Sequence, residues 1–184
     1  MSILRLVSTG TALLVVAGCT DDGTMPSPTA PAASVQARSS ARMASAAGQV
    51  QVSGHFDAIV DFTTVRLTPK GRNCLLDVDG RLVFTGTIEG TAVAHTSALE
   101  SAPCSDVATN PPGTFSDVFK SEAVFTGTVG GVPARANLLY LGQVEPGGHI
   151  VGRLVWSNGG VAGKVDVDAQ VAVGGEYRGS VVVH

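Results

Sequence analysis

Few residues in this chain are able to do chemistry, and three cysteines lead them: Cys19, Cys74 and Cys104. Cys19 directly follows an apolar run and the small residues Ala17 and Gly18. Cys74 and Cys104 lie in the body of the chain, where the thiols of an exported protein meet an oxidising compartment and pair. Such a bond ties the start of a strand to segment 100–115, which is long for a loop and holds Pro103, Pro111 and Pro112. Closing a loop of this length stabilises the fold by ~3–4 kcal/mol in the entropy model. No histidine stands at ligand spacing from either cysteine, so the pattern does not describe a metal site. His55, His95, His149 and His184 are scattered: His55 takes the polar face of its strand, His149 a turn, and His95 falls mid-strand. Asp166 and Asp168 share one strand face, as on a solvated outer surface. Neither Gly-x-Ser-x-Gly nor His-Glu-x-x-His occurs, and no catalytic residue or cofactor is assigned.

The setting of Cys19 is an export segment. Met1-Ser2-Ile3-Leu4-Arg5 forms a basic head, and residues 6–17 carry no charge, with the densest apolar run at Ala12-Leu13-Leu14-Val15-Val16-Ala17. That core has the length of a signal peptide and falls short of the ~20 apolar residues that cross a bilayer. It ends in Val16-Ala17-Gly18-Cys19, which resembles the lipobox of bacterial lipoproteins. The resemblance implies that residues 1–18 are removed, that the Cys19 thiol takes a diacylglyceryl group, and that the new amino terminus is acylated. Several acyl chains at ~0.8 kcal/mol per buried CH₂ give a stable membrane anchor where one chain is marginal. Thr20 stands where an aspartate commonly marks inner-membrane retention, which points to the outer membrane if the cell is Gram-negative.

The elements that position the remaining residues begin after a tether. Residues 19–48 carry Pro26, Pro28 and Pro31 among many Ser, Ala and Thr, with no apolar period, and cannot bury enough surface to offset their ordering entropy. Residues 49–184 read as one domain whose hydrophobic period is two. Val50, Val52, Phe56, Ala58 and Val60 alternate with Gln49, Gln51, Ser53, His55 and Asp57, and Val165, Val167, Val171 and Val173 alternate with polar residues. Paired glycines at 130–131, 147–148, 159–160 and 174–175, and Glu89-Gly90, punctuate the runs as hairpin turns do. No helix period follows the glycines, so they do not read as a phosphate-cradling loop. The chain has 12 basic and 15 acidic residues, a net charge of −3. Removing Arg5 with the signal leaves 11 against 15, or −4, and no basic cluster marks a nucleic-acid partner.

Two internal echoes narrow the architecture. Val83-Phe84-Thr85-Gly86-Thr87-Ile88 matches Val124-Phe125-Thr126-Gly127-Thr128-Val129, and Gly80-Arg81-Leu82-Val83-Phe84 matches Gly152-Arg153-Leu154-Val155-Trp156. Two copies are too few for a solenoid and fit similar hairpins in one closed sheet. The run Phe125–Gly131, the apolar strand after it, Leu154-Val155-Trp156 and the glycine-rich approach to Val165 resemble a bacterial family of unknown function with an allene oxide cyclase-like barrel. The likeness spans about residues 83–183. It departs at Val132, where the family often has arginine, and at the loosely matching Ser157–Gly163 hairpin. It implies an all-β, antiparallel up-and-down barrel of about eight strands, with no established activity.

Phe84, Phe125, Tyr140 and Trp156 then fall on strands, where they either pack a core or line a barrel mouth that binds a small ligand; with His95, which reads as packed, exposed or inward, they are the candidates for a ligand-lined lumen. The first functional reading is a non-enzymatic envelope lipoprotein, held to membrane lipid through Cys19, whose barrel binds an apolar small molecule or a partner protein. A cyclase or isomerase, by analogy with plant enzymes on such a barrel, requires an interior carboxylate or tyrosine, for which Tyr140, Glu122 and His95 are the candidates. A structural envelope component requires a filled lumen: a cavity of ~300 Å³ or more argues against it, and an interior acid beside a cavity favours the enzyme. For the anchor, labelled palmitate is expected in the wild-type protein and not in Cys19→Ala, which leaves the membrane fraction. Equal labelling of the two refutes lipidation at this residue.

Overall fold

The computed structural model describes residues 48–184, so Cys19, the leader 1–18 and the tether up to residue 47 lie outside the described residues. Eight strands follow one another in sequence: β1 (Gly48–Lys70), β2 (Asn73–Gly86), β3 (Ile88–Glu100), β4 (Asp117–Val129), β5 (Val132–Val144), β6 (His149–Ser157), β7 (Val161–Gln170) and β8 (Gly174–Val183). Each pairs antiparallel with its neighbour, and β1 pairs with β8, so the sheet closes into an up-and-down barrel with order β1 to β8. Closure removes both sheet edges, which would otherwise expose unpaired backbone groups.

The period of two assigns the faces. On β4, Phe119, Ser121, Ala123, Phe125 and Val129 turn inward and are buried or half-buried, while Val118, Lys120, Glu122 and Val124 are exposed. Expected turn positions shift in two places. Glu89 and Gly90 lie inside β3, because β2 ends at Gly86 and the chain kinks at Thr87. Gly174-Gly175 opens β8, and the turn before it uses residues 171–173, so Val171 and Val173 lie beyond β7 and Val173 is exposed.

One end of the lumen is filled by aromatic rings. Phe84 stands at the centre, its ring centroid 5.6 Å from Phe56, 5.9 Å from Phe125, 5.9 Å from Trp156 and 5.8 Å from Tyr177. Phe125 meets Trp156 edge-on at 4.9 Å. Ile88 and Val129, paired across β3 and β4, are fully buried at this end. The Tyr177 hydroxyl receives the Ile88 N–H at 2.9 Å and lies 3.1 Å from the Thr85 carbonyl, so it fastens the kink between β2 and β3 to β8. This ring reaches its place over Gly54, where a Cβ would collide with both the Tyr177 hydroxyl and the Thr85 carbonyl.

At the other end the chain departs from plain hairpins. The β3–β4 connection, residues 101–116, contains a single turn of helix, α1 (Cys104–Val107), and crosses the barrel mouth. Its base is closed by the Ser101 N–H donating to the Ser116 carbonyl at 2.9 Å and by the two serine hydroxyls at 2.7 Å. The Cys74–Cys104 disulfide, with Cα atoms 4.8 Å apart, fixes one side of this lid to β2. On the other side the Gly147 N–H donates to the Gly113 carbonyl at 2.9 Å, and Gly113 (φ +80°) packs so closely on Gly148 that only glycine fits. Truncating a fully buried ring of the filled end, by Phe125→Ala, is expected to destabilise the domain by about 3–5 kcal/mol. Urea unfolding followed by circular dichroism measures this, and a loss below about 1 kcal/mol contradicts the packing described.

Candidate functional site

Beneath the lid the lumen is not filled. The inward positions there are small or aliphatic: Ala94 and Ala98 on β3, Ala58 on β1, Leu76 and Val78 on β2, Val144 on β5 and Ile150 on β6. They leave a cavity of about 410 Å³, roofed by Val107, Ala108 and residues 110–115 of the lid. A volume of this size falls within the ~300–1,000 Å³ of small-molecule sites and argues against a purely structural barrel.

The rim owes its shape to a bulge in β1. Pairing jumps from Asp61↔Asp79 to Arg66↔Asp77, so Phe62–Val65 oppose Val78 alone. Asp61 stitches the bulge, accepting the Thr63 N–H at 3.0 Å and the Thr63 hydroxyl at 2.6 Å, and these bonds hold its carboxyl below the usual range. The Thr64 hydroxyl donates to the Asp61 carbonyl at 2.8 Å and receives the Asp79 N–H at 2.9 Å. Bulges re-aim side chains; here Val65 and Leu67 line the cavity, and Phe62 stands exposed at its edge.

Into this apolar space face a few polar groups. Glu100 and Asp117 are direct cross-strand partners on β3 and β4, and both line the cavity. Glu100 is only 8% exposed, and burial raises its pKa. Burial and the Glu100 charge push Asp117 up to about 7, and its Oδ1 is buried without a hydrogen-bond partner. Farther in, Thr96 donates to Ser121 at 2.9 Å, and Tyr140, opposite Ser121 on β5, lines the floor. Tyr140 is 5% exposed, its hydroxyl has no partner, and burial raises its pKa well above the ordinary phenol value. Its ring packs edge-on against Phe119 at 4.8 Å and Phe56 at 5.9 Å, so the phenol forms the boundary between cavity and aromatic fill.

Of the five residues assigned to a lined lumen, Tyr140 alone is at the cavity. Phe84, Phe125 and Trp156 face inward but fill the opposite end, where they pack on one another. His95 lies on the outer face, its Nδ1 2.7 Å from Asp79, because residues 94, 96 and 98 take the inward parity of β3. Glu122 is also outside, 2.8 Å from Lys120, and is no interior acid. The interior acids are Glu100 and Asp117, which sequence reasoning passed over. The signal was present: each continues the inward register of Ala94-x-Thr96-x-Ala98 or Phe119-x-Ser121-x-Ala123 toward the lid.

Fold and site together define a small closed antiparallel barrel with one packed end and one lidded, acid-bearing cavity. The sequence matches no protein-family model and no curated protein. Among solved structures it is similar to a DUF3224-family protein of unknown function from Shewanella oneidensis MR-1, with a TM-score of 0.52 and 15% identity over 74% of this chain and 99% of that one. At that identity the likeness is one of fold.

A carboxyl whose pKa is raised keeps, in the folded state, a proton that the unfolded chain releases. Stability therefore falls as pH rises from the ordinary carboxylate range to about 7 and is level above it. Asp117→Asn is expected to flatten that fall and to melt above the wild type on the alkaline side. Parallel melting curves for the two proteins across this range rule out a buried, proton-holding Asp117.

Proposed function

We propose that the chain is a lipid-anchored envelope protein, tethered through Cys19, whose barrel binds one small, largely apolar molecule beneath the lid. The observation that carries this reading is the cavity of about 410 Å³ in a barrel whose far end is filled by packed aromatic rings. Unfilled apolar volume forfeits dispersion contacts and lowers stability, and Ala94 and Ala98 stand where larger residues would fill it. A carrier or sensor needs that space. The polar groups set into the wall, Glu100, Asp117, Thr96, Ser121 and Tyr140, orient what enters, as few convergent polar groups do in ligand sites.

A second reading rests on Asp117. A carboxyl poised near neutrality beside an apolar cavity suits proton transfer, so a cyclase or isomerase acting on an apolar substrate is the enzymatic alternative. It requires a substrate whose labile proton reaches Asp117, and turnover lost in Asp117→Asn with binding retained distinguishes it from a carrier.

The binding reading is tested by filling the space. Ala98 is buried and lines the cavity on β3. The neutral dye Nile red is expected to bind the wild-type domain saturably with enhanced emission. Ala98→Phe should abolish that response without lowering the melting temperature. Unchanged dye binding in the filled variant, or none in the wild type, counts against a lumen site.

A further inference from the structure

The inward-facing polar side chains of the strands at the cavity are acids, hydroxyls and a phenol. The titratable groups along its lining are Glu100 on β3, Asp117 on β4, Tyr140 on β5, and Asp79 and Arg81 on β2. Asp79 and Arg81 are exposed, and Asp79 is engaged by His95 at 2.7 Å. The cavity-lining residues of β1, β6, the lid and the β7–β8 turn add no titratable group. Among the described residues no salt bridge reaches Glu100 or Asp117.

Two like carboxyls directly opposed on adjacent strands repel, and burial strengthens the repulsion by lowering the local dielectric. A filled core would have placed apolar residues here. Instead the pair is retained beside empty apolar volume, with one carboxylate oxygen of Asp117 buried and unpartnered. A bound carboxylate would add a third negative charge to this wall. A neutral apolar ligand would leave the pair uncompensated. An ammonium supplies both the charge and hydrogen-bond donors, one of them for the Asp117 oxygen that has no partner. Near the floor, the faces of Tyr140 and Phe119 add aromatic surface suited to a cationic or apolar body.

We propose that the lumen takes an apolar amine, its ammonium held between Glu100 and Asp117 and its hydrocarbon body lying against Ala94, Ala98, Phe119 and Tyr140. The inference rests on the lumen-binding reading above and adds the chemical class of ligand. It also sets the direction of the pH response: affinity rises as Asp117 ionises and falls again once the amine loses its own proton near ~10.

The test is displacement of Nile red from the soluble domain by octylamine, octanol and octanoate, which share a chain and differ in the head. Octylamine is expected to compete about ten-fold or more better than octanol, with octanoate the poorest, and the preference for the amine should grow between about pH 6 and about pH 8. In the near-isosteric double variant Glu100→Gln/Asp117→Asn, octylamine should fall to the level of octanol while octanol itself is unchanged, which also shows that the lumen is intact. Octanoate equal to or better than octylamine overturns the amine assignment and leaves the lumen reading standing. So does an amine preference that survives the double variant, or displacement by calcium ions as potent as that by octylamine. If Nile red does not bind and none of the three compounds shifts the melting temperature, the lumen reading fails and the amine assignment with it.

Discussion

Closure of β1 on β8 fixes the width of the lumen, and the rest of the molecule depends on how side chains meet that width. An eight-stranded barrel is just wide enough to be filled by side chains or to hold one small ligand. This chain does both, at opposite ends. Phe84, central to the packed end, touches four other rings, and the Tyr177 hydroxyl locks the kink that brings Ile88 into the same cluster. With one end rigidly filled, inward positions nearer the lid are free to be small without loss of the fold. The cavity is thus a consequence of uneven filling along the lumen.

The lid converts an open barrel end into a compartment. A sixteen-residue connection with little regular structure belongs to the class of segments that open at low free-energy cost unless they are tied down. Here it is restrained on both sides, by a covalent bond to β2 and by the Gly113–Gly147 hydrogen bond to the β5–β6 turn. The prolines at 103, 111 and 112 reduce the entropy lost on ordering it. Restraint on both sides keeps Val107 and residues 110–115 over the cavity that Glu100 and Asp117 line.

Much of this was legible in the sequence, and the part that was not has a physical reason. Strict alternation in β1 and β7 and the paired glycines specify an antiparallel all-β domain, and the Phe-Thr-Gly-Thr echo marks the related ends of β2 and β4. The Cys74–Cys104 pairing followed from an oxidising setting and a long loop. Parity without register is the limit. Alternation says that Phe84, Phe125 and Trp156 face inward, but only the pairing of all eight strands places them at the packed end, away from Tyr140. His95 was misplaced because its inward neighbours, Ala94 and Thr96, are small and less conspicuous than the imidazole between them. Turns moved by a residue or two where glycine serves close strand packing: Gly90 approaches Gly127 within β3 and β4. The β1 bulge is specified by Asp61-Phe62-Thr63-Thr64, a side-chain network with no hydrophobic period to announce it.

The acid pair was overlooked for a related reason, and its position gives it meaning. A carboxylate at a strand end reads as solvated, because strand ends usually are. Glu100 and Asp117 end their strands beneath a lid, so the same positions become interior. Buried like charges without a counter-charge lower stability unless one is protonated or a ligand compensates them. The first is the unliganded state implied by the elevated Asp117. The second requires a molecule that brings positive charge or donors together with apolar surface, since apart from hydroxyls such as Thr96 and Ser121 the remaining wall is mostly alkyl and aromatic. Removing either carboxyl singly leaves the other free to ionise and hold a cation, whereas removing both erases the acceptor set. The two acids therefore act as a unit, and their contributions to binding should be far from additive.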